Sequence, residues 1–235
     1  MQAVILAGGK GTRLLPFTKV FPKPLVPLGE KPIIDTIIRQ LKYFGFTRIT
    51  LAVGYMAEMI QTYLRNGERY GVDLEYAFEE EPLGTVGPLA QIGNLEQRFL
   101  VMNGDVITNL NYRDLITFHK DHNAIATIGT YHKNFRIDLG IVQDDGGLSI
   151  VDYIEKPNYT FKVSMGVFVF EHHVLSYMEP KKYLDFPDLI KRLIAHGEIV
   201  MSYPFDGYWL DIGNHVDYEK AIDEYDTIKG GLNLE

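Results

Sequence analysis

"MQAVILAGGKGTRLLPFTKVFPKPLVP", residues 1–27, decides how this chain is read. Ala3-Val4-Ile5-Leu6-Ala7 is a short unbroken apolar run, the pattern of a strand buried on both faces, and Gly8-Gly9 stops it. A glycine-rich turn leaving such a strand lets backbone N–H groups come close to a ligand, which is how loops cradle phosphates. Two well-known loops of that kind fail on the residues. The dinucleotide pattern G-x-G-x-x-G starts at Gly9 and Gly11 but meets Leu14 where its third glycine belongs. A P-loop needs Ser or Thr after Gly9-Lys10 and finds Gly11, and Val4 stands where its first glycine should be.

Working outward, apolar runs alternate with helical spacing. Ile33, Ile34, Ile37, Ile38 and Leu41 predict a helix to Phe44 with Gly45 at its C-cap, and Ile49 to Val53 predicts the next buried strand. Met56 to Leu64 reads as helix and Leu74 to Phe78 as strand. A turn-rich stretch at Glu81–Leu89, a short helix and a strand at Phe99–Met102 follow. This β–α–β–α order predicts a parallel sheet with helices on both faces. Ligands in such sheets sit at the carboxyl ends of the strands, where the glycine loop and Asn103-Gly104-Asp105 both fall. The second half is richer in strands, at 126–131, 140–142, 150–153 and 165–170, with helices over 186–195 and 216–228. No composition break, linker or repeat divides the chain, so a single domain over residues 1–235 is expected, without a C-terminal β-helix.

Bulk composition narrows the function. The 235 residues are 46% hydrophobic and 23% charged, as in ordinary globular proteins. A net charge of −8 without a basic cluster argues against nucleic acid as partner. Zero cysteines exclude disulfides and thiolate metal sites, leaving oxygen or histidine as metal ligands. The seven histidines form no H-x-x-x-H or H-E-x-x-H pattern, and His119, His122, His172 and His173 are expected on the surface. The first residues carry neither a signal peptide nor a membrane span, so the expectation is a cytoplasmic protein without a membrane partner.

Several charged residues sit where chemistry is plausible. Lys23 lies between Pro22 and Pro24, which are expected to hold its backbone extended, and with Arg13 it suits a polyphosphate. A solvated lysine in an irregular loop would look the same. Asp105, directly after a strand, suits Mg²⁺ shared with substrate phosphates, though Asn-Gly-Asp is also an ordinary turn. Asp211 interrupts the apolar stretch around the only tryptophan, and a buried aspartate needs a partner such as a metal. Glu155-Lys156-Pro157 pairs a group for sugar hydroxyls with one for phosphate, or is an exposed salt-bridging turn. Pro157 is expected to keep Lys156 extended and to send the two side chains in opposite directions.

Together, Gly8-Gly9-Lys10-Gly11-Thr12-Arg13-Leu14, Pro16, Thr18 and Pro22-Lys23-Pro24 resemble the signature of the sugar-1-phosphate nucleotidyltransferases, the nucleotide-sugar pyrophosphorylases. Leu83-Gly84-Thr85, Asn103-Gly104-Asp105, Glu155-Lys156-Pro157, Gly166-Val167 and Trp209-Leu210-Asp211-Ile212-Gly213 follow in family order, so the resemblance runs from Gln2 to about Tyr225. It implies a three-layer Rossmann-like α/β domain with a mixed, mostly parallel sheet. It also implies an enzyme joining a nucleoside triphosphate to a sugar 1-phosphate with release of pyrophosphate. Carried over residue by residue, Leu6, Ala7, Gly8, Gly9, Gly11 and Thr12 would hold the nucleotide, with Gly84 and Thr85 closing on the base. Arg13 and Lys23 would grip the triphosphate and, with Asp105, act in catalysis. Asp105 and Asp211 would hold Mg²⁺, and Gly140, Glu155, Lys156 and Gly166 would form the sugar-phosphate pocket.

Pro82-Leu83-Gly84-Thr85-Val86-Gly87-Pro88-Leu89 is most similar to the mannose-1-phosphate guanylyltransferases, with Val86 in place of their alanine. GTP and mannose 1-phosphate are therefore the favoured pair. Heptose 1-phosphate with GTP, and glucose 1-phosphate with dTTP, UTP or CTP, stay open, as do a homodimer and a non-catalytic regulatory homologue. The last would be expected to have lost Arg13, Lys23, Asp105 or Asp211, and all four are present.

Overall fold

The computed structural model describes residues 1–234. In chain order the elements are β1 (Gln2–Ala7), β2 (Pro27–Leu28), β3 (Lys31–Pro32), α1 (Ile33–Tyr43), β4 (Arg48–Val53), α2 (Ala57–Leu64), β5 (Asp73–Phe78), β6 (Arg98–Asn103) and β7 (Val106–Thr108). Then come α3 (Tyr112–Asp121), β8 (Ala126–Arg136), β9 (Ile141–Asp144), β10 (Ile150–Ile154), β11 (Asn158–Glu171), α4 (Phe186–Ala195), β12 (Val200–Phe205), β13 (Trp209–Asp211) and α5 (His215–Ile228). Seven strands form one sheet in the order β12-β8-β11-β6-β1-β4-β5. Only β11 runs against its neighbours, so the sheet is mixed and mostly parallel.

Alternation along β1 builds the three layers. Ala3, Ile5 and Ala7 point into one apolar cluster and Val4 into another. The first cluster takes Ile33, Ile37 and Leu41 of α1, Ile60 of α2, Leu115 of α3 and Tyr218 of α5. The second is covered by Phe186, Leu189 and Leu193 of α4 and by short 3₁₀ turns around Leu89 and Val174. Each fully buried Ile or Leu contributes about 1.5–3 kcal/mol relative to its exposed state. The end of α1 follows from Gly45, whose φ of +90° lets Phe46 N–H reach Leu41 O (3.0 Å) and Gly45 N–H reach Lys42 O (2.9 Å).

Three features of the fold depart from the sequence reading. The helix α3 was not expected; the Asn111 side chain caps it by accepting from Arg113 N (3.0 Å), and only Tyr112, Leu115, Ile116 and His119 turn inward. The strands β8 and β11 outrun their apolar cores and continue as a largely exposed arm, with β9 and β10 as a separate two-stranded ribbon. His119, expected on the surface, is fully buried, because its ring nitrogens find Thr127 Oγ1 (2.8 Å) and Glu171 Oε1 (3.2 Å).

Register then gathers the loops. Leu6 pairs with Asn103 and Ala7 with Val53, which in turn pairs with Phe78, so β1, β4, β5 and β6 release their chains at one edge of the sheet.

Candidate active site

At that edge the backbones come within contact of one another. Gly8 O accepts from Tyr55 N (3.2 Å), and Gly104 N donates to Leu6 O (2.9 Å). A Cβ on Gly104 would sit 3.0 Å from Leu6 O, and one on Gly54 would sit 3.1 Å from Gly8 O. Gly11 turns through φ +60°, and Thr18, itself buried, donates its hydroxyl to Gly11 O (2.8 Å). A side chain on Gly11 would meet Thr18 and lie 3.2 Å from Lys23 Cβ, so the glycine loop is folded back onto Lys23. Thr12 to Leu14 form a single 3₁₀ turn, with Leu14 buried and Arg13 exposed.

Lys23 itself corrects one expectation. Pro22 is extended, but Lys23, Pro24 and Leu25 close a 3₁₀ turn, with Leu25 N donating to Pro22 O (2.8 Å) and Val26 N to Lys23 O (3.1 Å). Burial of Pro24 and Leu25 outweighs the extended preference of a residue before proline. The turn sends Lys23 Nζ onto Asp105 Oδ2 as a largely buried ion pair.

Asp105 and Asp211, distant in sequence, meet through a small ladder. Strands β7 and β13 pair antiparallel with Val106 opposite Asp211, and Ile212 N donates to Asp105 O (3.0 Å). Burial, then the Asp105 charge, pushes the Asp211 carboxyl up to about 6, while Lys23 and Arg13 pull it back. The Arg13 guanidinium packs over Gly213, where a Cβ would lie 3.3 Å away. Asn214 caps the following helix α5, its side chain accepting from Asp217 N.

One oxygen of each aspartate, Oδ1 in both, is buried without a hydrogen-bond partner among the described residues. Among the described residues no group of three or more His, Cys, Asp or Glu is placed to hold a metal. Two orphaned carboxylate oxygens fit Mg²⁺, which takes one or two protein carboxylates and completes its shell with water and substrate phosphates.

Comparison with known proteins gives this site a family. The nucleotidyl transferase family model matches residues 2–227. The chain belongs to the nucleotidyl transferase family. It is 32% identical over 242 residues to a UTP–glucose-1-phosphate uridylyltransferase of Synechocystis sp., covering 94% of this chain and 62% of that protein. It is 36% identical to a probable mannose-1-phosphate guanylyltransferase 1 of Oryza sativa subsp. japonica, covering 96% and 64%. Among solved structures, a putative glucose-1-phosphate thymidylyltransferase of Bacillus anthracis aligns at a TM-score of 0.75 and 26% identity, covering 95% of this chain and 94% of that one. The chain thus spans a little under two thirds of the length of the curated relatives it matches.

Other family motifs have more varied surroundings. Gly166, at φ +71°, fills a register shift of β11, and a Cβ there would be 2.6 Å from the Asn103 side chain. Trp209 Nε1 donates to Met165 O (2.9 Å), so Asn103-Gly104-Asp105, Gly166 and the β13 end form one packed unit. Gly84, at φ +81°, and exposed Thr85 lie against residues 184–186, while Val86 is buried in the second core cluster.

Gly140, Glu155 and Lys156 stand apart on the arm. Gly140 packs against Tyr153, and the carboxylate of Glu155 lies 3.8 Å from Lys156 Nζ with both side chains exposed. Lys156 is not extended as expected but left-handed, at φ 44°. It must turn the chain from β10 into β11, and this puts both side chains on one side. No ion pair or hydrogen bond links Glu155 or Lys156 to the Lys23–Asp105–Asp211 group among the described residues.

Sequence reasoning passed over Glu79. Its carboxylate follows β5 and is wedged against Gly8, where a side chain would collide with it. Burial raises its pKa, partly offset by a long bond from Leu83 N (3.4 Å). Within the acidic run Glu79-Glu80-Glu81 nothing in the sequence distinguishes it; only strand register does.

Proposed function

We propose that the chain transfers a nucleotidyl group from a nucleoside triphosphate to a sugar 1-phosphate, releasing pyrophosphate. The carrying observation is the group at the strand ends: two carboxylates with orphaned oxygens beside Lys23 and Arg13, facing a glycine loop. An oxygen of the sugar phosphate forms the new bond to the α-phosphorus. The bond from that phosphorus to the bridging oxygen breaks, and pyrophosphate leaves with the electron pair. The attacking oxygen is already anionic, so no side chain need act as a base. Lys23 and Arg13 offset the charge that spreads over the phosphates, and the glycine loop admits them against backbone N–H groups. Mg²⁺, when bound by Asp105 and Asp211, supplies further charge neutralisation and orients the phosphates.

For the base we favour guanine. Glu79 offers two acceptor oxygens beside Gly8, and guanine presents adjacent N1–H and N2–H donors on one edge. Uracil and thymine present a single N–H between two carbonyls that a carboxylate would repel. The similarity of Pro82–Leu89 to the mannose-1-phosphate guanylyltransferases then favours mannose 1-phosphate as the partner of GTP.

The test is pyrophosphate release with Mg²⁺ across GTP, ATP, UTP, CTP and dTTP against mannose, heptose and glucose 1-phosphates. GTP turnover should lead by at least roughly ten-fold, and Glu79→Gln should narrow that lead. No release with any pair would overturn the enzymatic reading in favour of a binding homologue. A lead for UTP or dTTP would overturn the choice of base alone.

A further inference from the structure

The chain before α4 carries a contact that none of the assigned roles uses. Asp185 occupies the N-cap position of α4, yet its side chain makes no bond to its own helix. An N-cap aspartate ordinarily accepts from the second or third N–H of the helix it starts. Here Oδ1 accepts from Thr85 N (2.8 Å) and Oδ2 from the Tyr183 hydroxyl (2.7 Å). In return the Thr85 hydroxyl accepts from Phe186 N (2.9 Å), the first N–H of α4. The two residues thus trade the bonds of a capping box across segments far apart in sequence.

Backbone bonds close the rest of the contact. Leu184 N donates to Leu83 O (2.9 Å), and Val86 N and Gly87 N both donate to Leu184 O (3.1 Å each). Gly84 lies so near that a Cβ would sit 2.6 Å from Leu184 O, which together with its positive φ makes glycine necessary there. On its other flank the same loop is tied to Glu79 through Leu83 N, and Glu79 rests against Gly8. The loop Leu83–Val86 is therefore a wall of the nucleotide side, and its outer surface is pinned by a helix entry rather than by its own strand.

We propose that Asp185 is a positioning residue for the nucleotide: through Thr85 it sets how far Gly84 stands from the Gly8 loop, and so the affinity for the base. This rests on the nucleotide-binding reading above. The Lys23–Asp105–Asp211 group stands on β6, β7 and β13 and on the Lys23 turn, so opening the Thr85–Asp185 contact should leave the phosphate chemistry alone.

The experiment compares Asp185→Ala, which removes both acceptors, with Asp185→Asn, which keeps one for Thr85 N, and with Thr85→Val, which removes the hydroxyl at nearly constant shape. For each, calorimetric affinity for GTP with Mg²⁺ is measured beside steady-state constants for both substrates and the melting temperature. Asp185→Ala and Thr85→Val should each weaken GTP binding and raise its KM roughly five- to ten-fold, the scale of one or two lost hydrogen bonds. For Asp185→Ala the sugar 1-phosphate KM and kcat should stay within about two-fold, and Asp185→Asn should recover most of the affinity. Combining Asp185→Ala with Thr85→Val should cost little more than either alone, since they break one contact. A lowered melting temperature with unchanged GTP affinity in both disruptive variants would overturn the proposal and leave a purely structural cap. A wild-type chain that binds no nucleoside triphosphate would instead overturn the underlying nucleotide reading.

Discussion

Lys23, Asp105 and Asp211 lie together where β6 and β7, buried along most of their length, meet the half-buried β13, whereas Gly140, Glu155 and Lys156 stand on a ribbon whose two strands, β9 and β10, are exposed along most of their length. At the first end, charges are held by neighbours: Lys23 against Asp105, Asp105 beside Asp211, Arg13 over Gly213. At the second, Glu155 and Lys156 pair, among the described residues, only with each other, at 3.8 Å in solvent. Electrostatic stabilisation of a transition state needs groups fixed before the reaction begins, and burial supplies that fixity. Recognition of a sugar phosphate tolerates side chains that settle on binding, at some cost in affinity. The contrast predicts that damage at the buried end appears in kcat and damage on the ribbon in KM.

The largest effects belong to Lys23→Ala and Arg13→Ala, each expected to lower kcat by about 10²–10³-fold. Near-normal turnover in either variant would remove that residue from the chemistry and weaken the contrast at its strong end. Next comes Asp211→Asn. At pH 7 the native carboxylate is charged although its pKa is raised to about 6, so its ionised form is disfavoured by burial and by Asp105. The amide should therefore raise stability, on the order of 1 kcal/mol after solvent screening, while turnover falls and the Mg²⁺ concentration needed to support it rises. Thermal melts in chelator and Mg²⁺ titrations of turnover check the two halves separately. Chelator should silence the wild-type chain and added Mg²⁺ restore it, and full activity in chelator would sink the two-aspartate site.

Lys156→Ala should raise the KM for sugar 1-phosphate by about ten-fold, leaving the nucleotide KM in place. A rise in the nucleotide KM instead would place the ribbon on the wrong substrate. The smallest effect concerns the strand that joins the two regions. Glu171 ends β11 at the core and meets buried His119 and the Arg98 guanidinium, while the other end of β11 forms the arm. Burial lowers the His119 pKa below 6.5, with Glu171 opposing and Arg98 assisting. The unfolded chain then binds the proton more readily than the native one. That stability is present above pH 6.5 and is lost as pH falls below it. A melting temperature independent of pH between 7 and 5.5 in wild type, or the same slope in His119→Gln, would refute this assignment.

How much was legible varies with how local the cause is. The glycine loop, α1 with its Gly45 stop, and α4 follow from periodicity and turn chemistry that neighbouring residues dictate, and all three appear in the fold. The helix α3 was passed over although Tyr112, Leu115, Ile116 and His119 keep helical spacing behind the Asn111 cap, so its signal was local and present in the sequence. The conformations of Lys23 and Lys156 went the other way from the preference of a residue before proline. That preference is worth little against burying Pro24 and Leu25, or against turning one strand into the next. The buried state of His119 depended on Thr127 and Glu171, neither near it in a way that sequence displays.

By itself the sequence determined most of the order of strands and helices, the glycine-rich loop and the inventory of charged groups, since each depends on residues close together along the chain. Only the tertiary structure decided that Asp105 and Asp211 share one site, because a two-strand ladder joins them. It alone singled out Glu79 from three consecutive glutamates, because strand register aims one of them at Gly8. It alone set Asp185 to hold Thr85 instead of its own helix. Long-range pairing selects among side chains that local chemistry leaves equivalent.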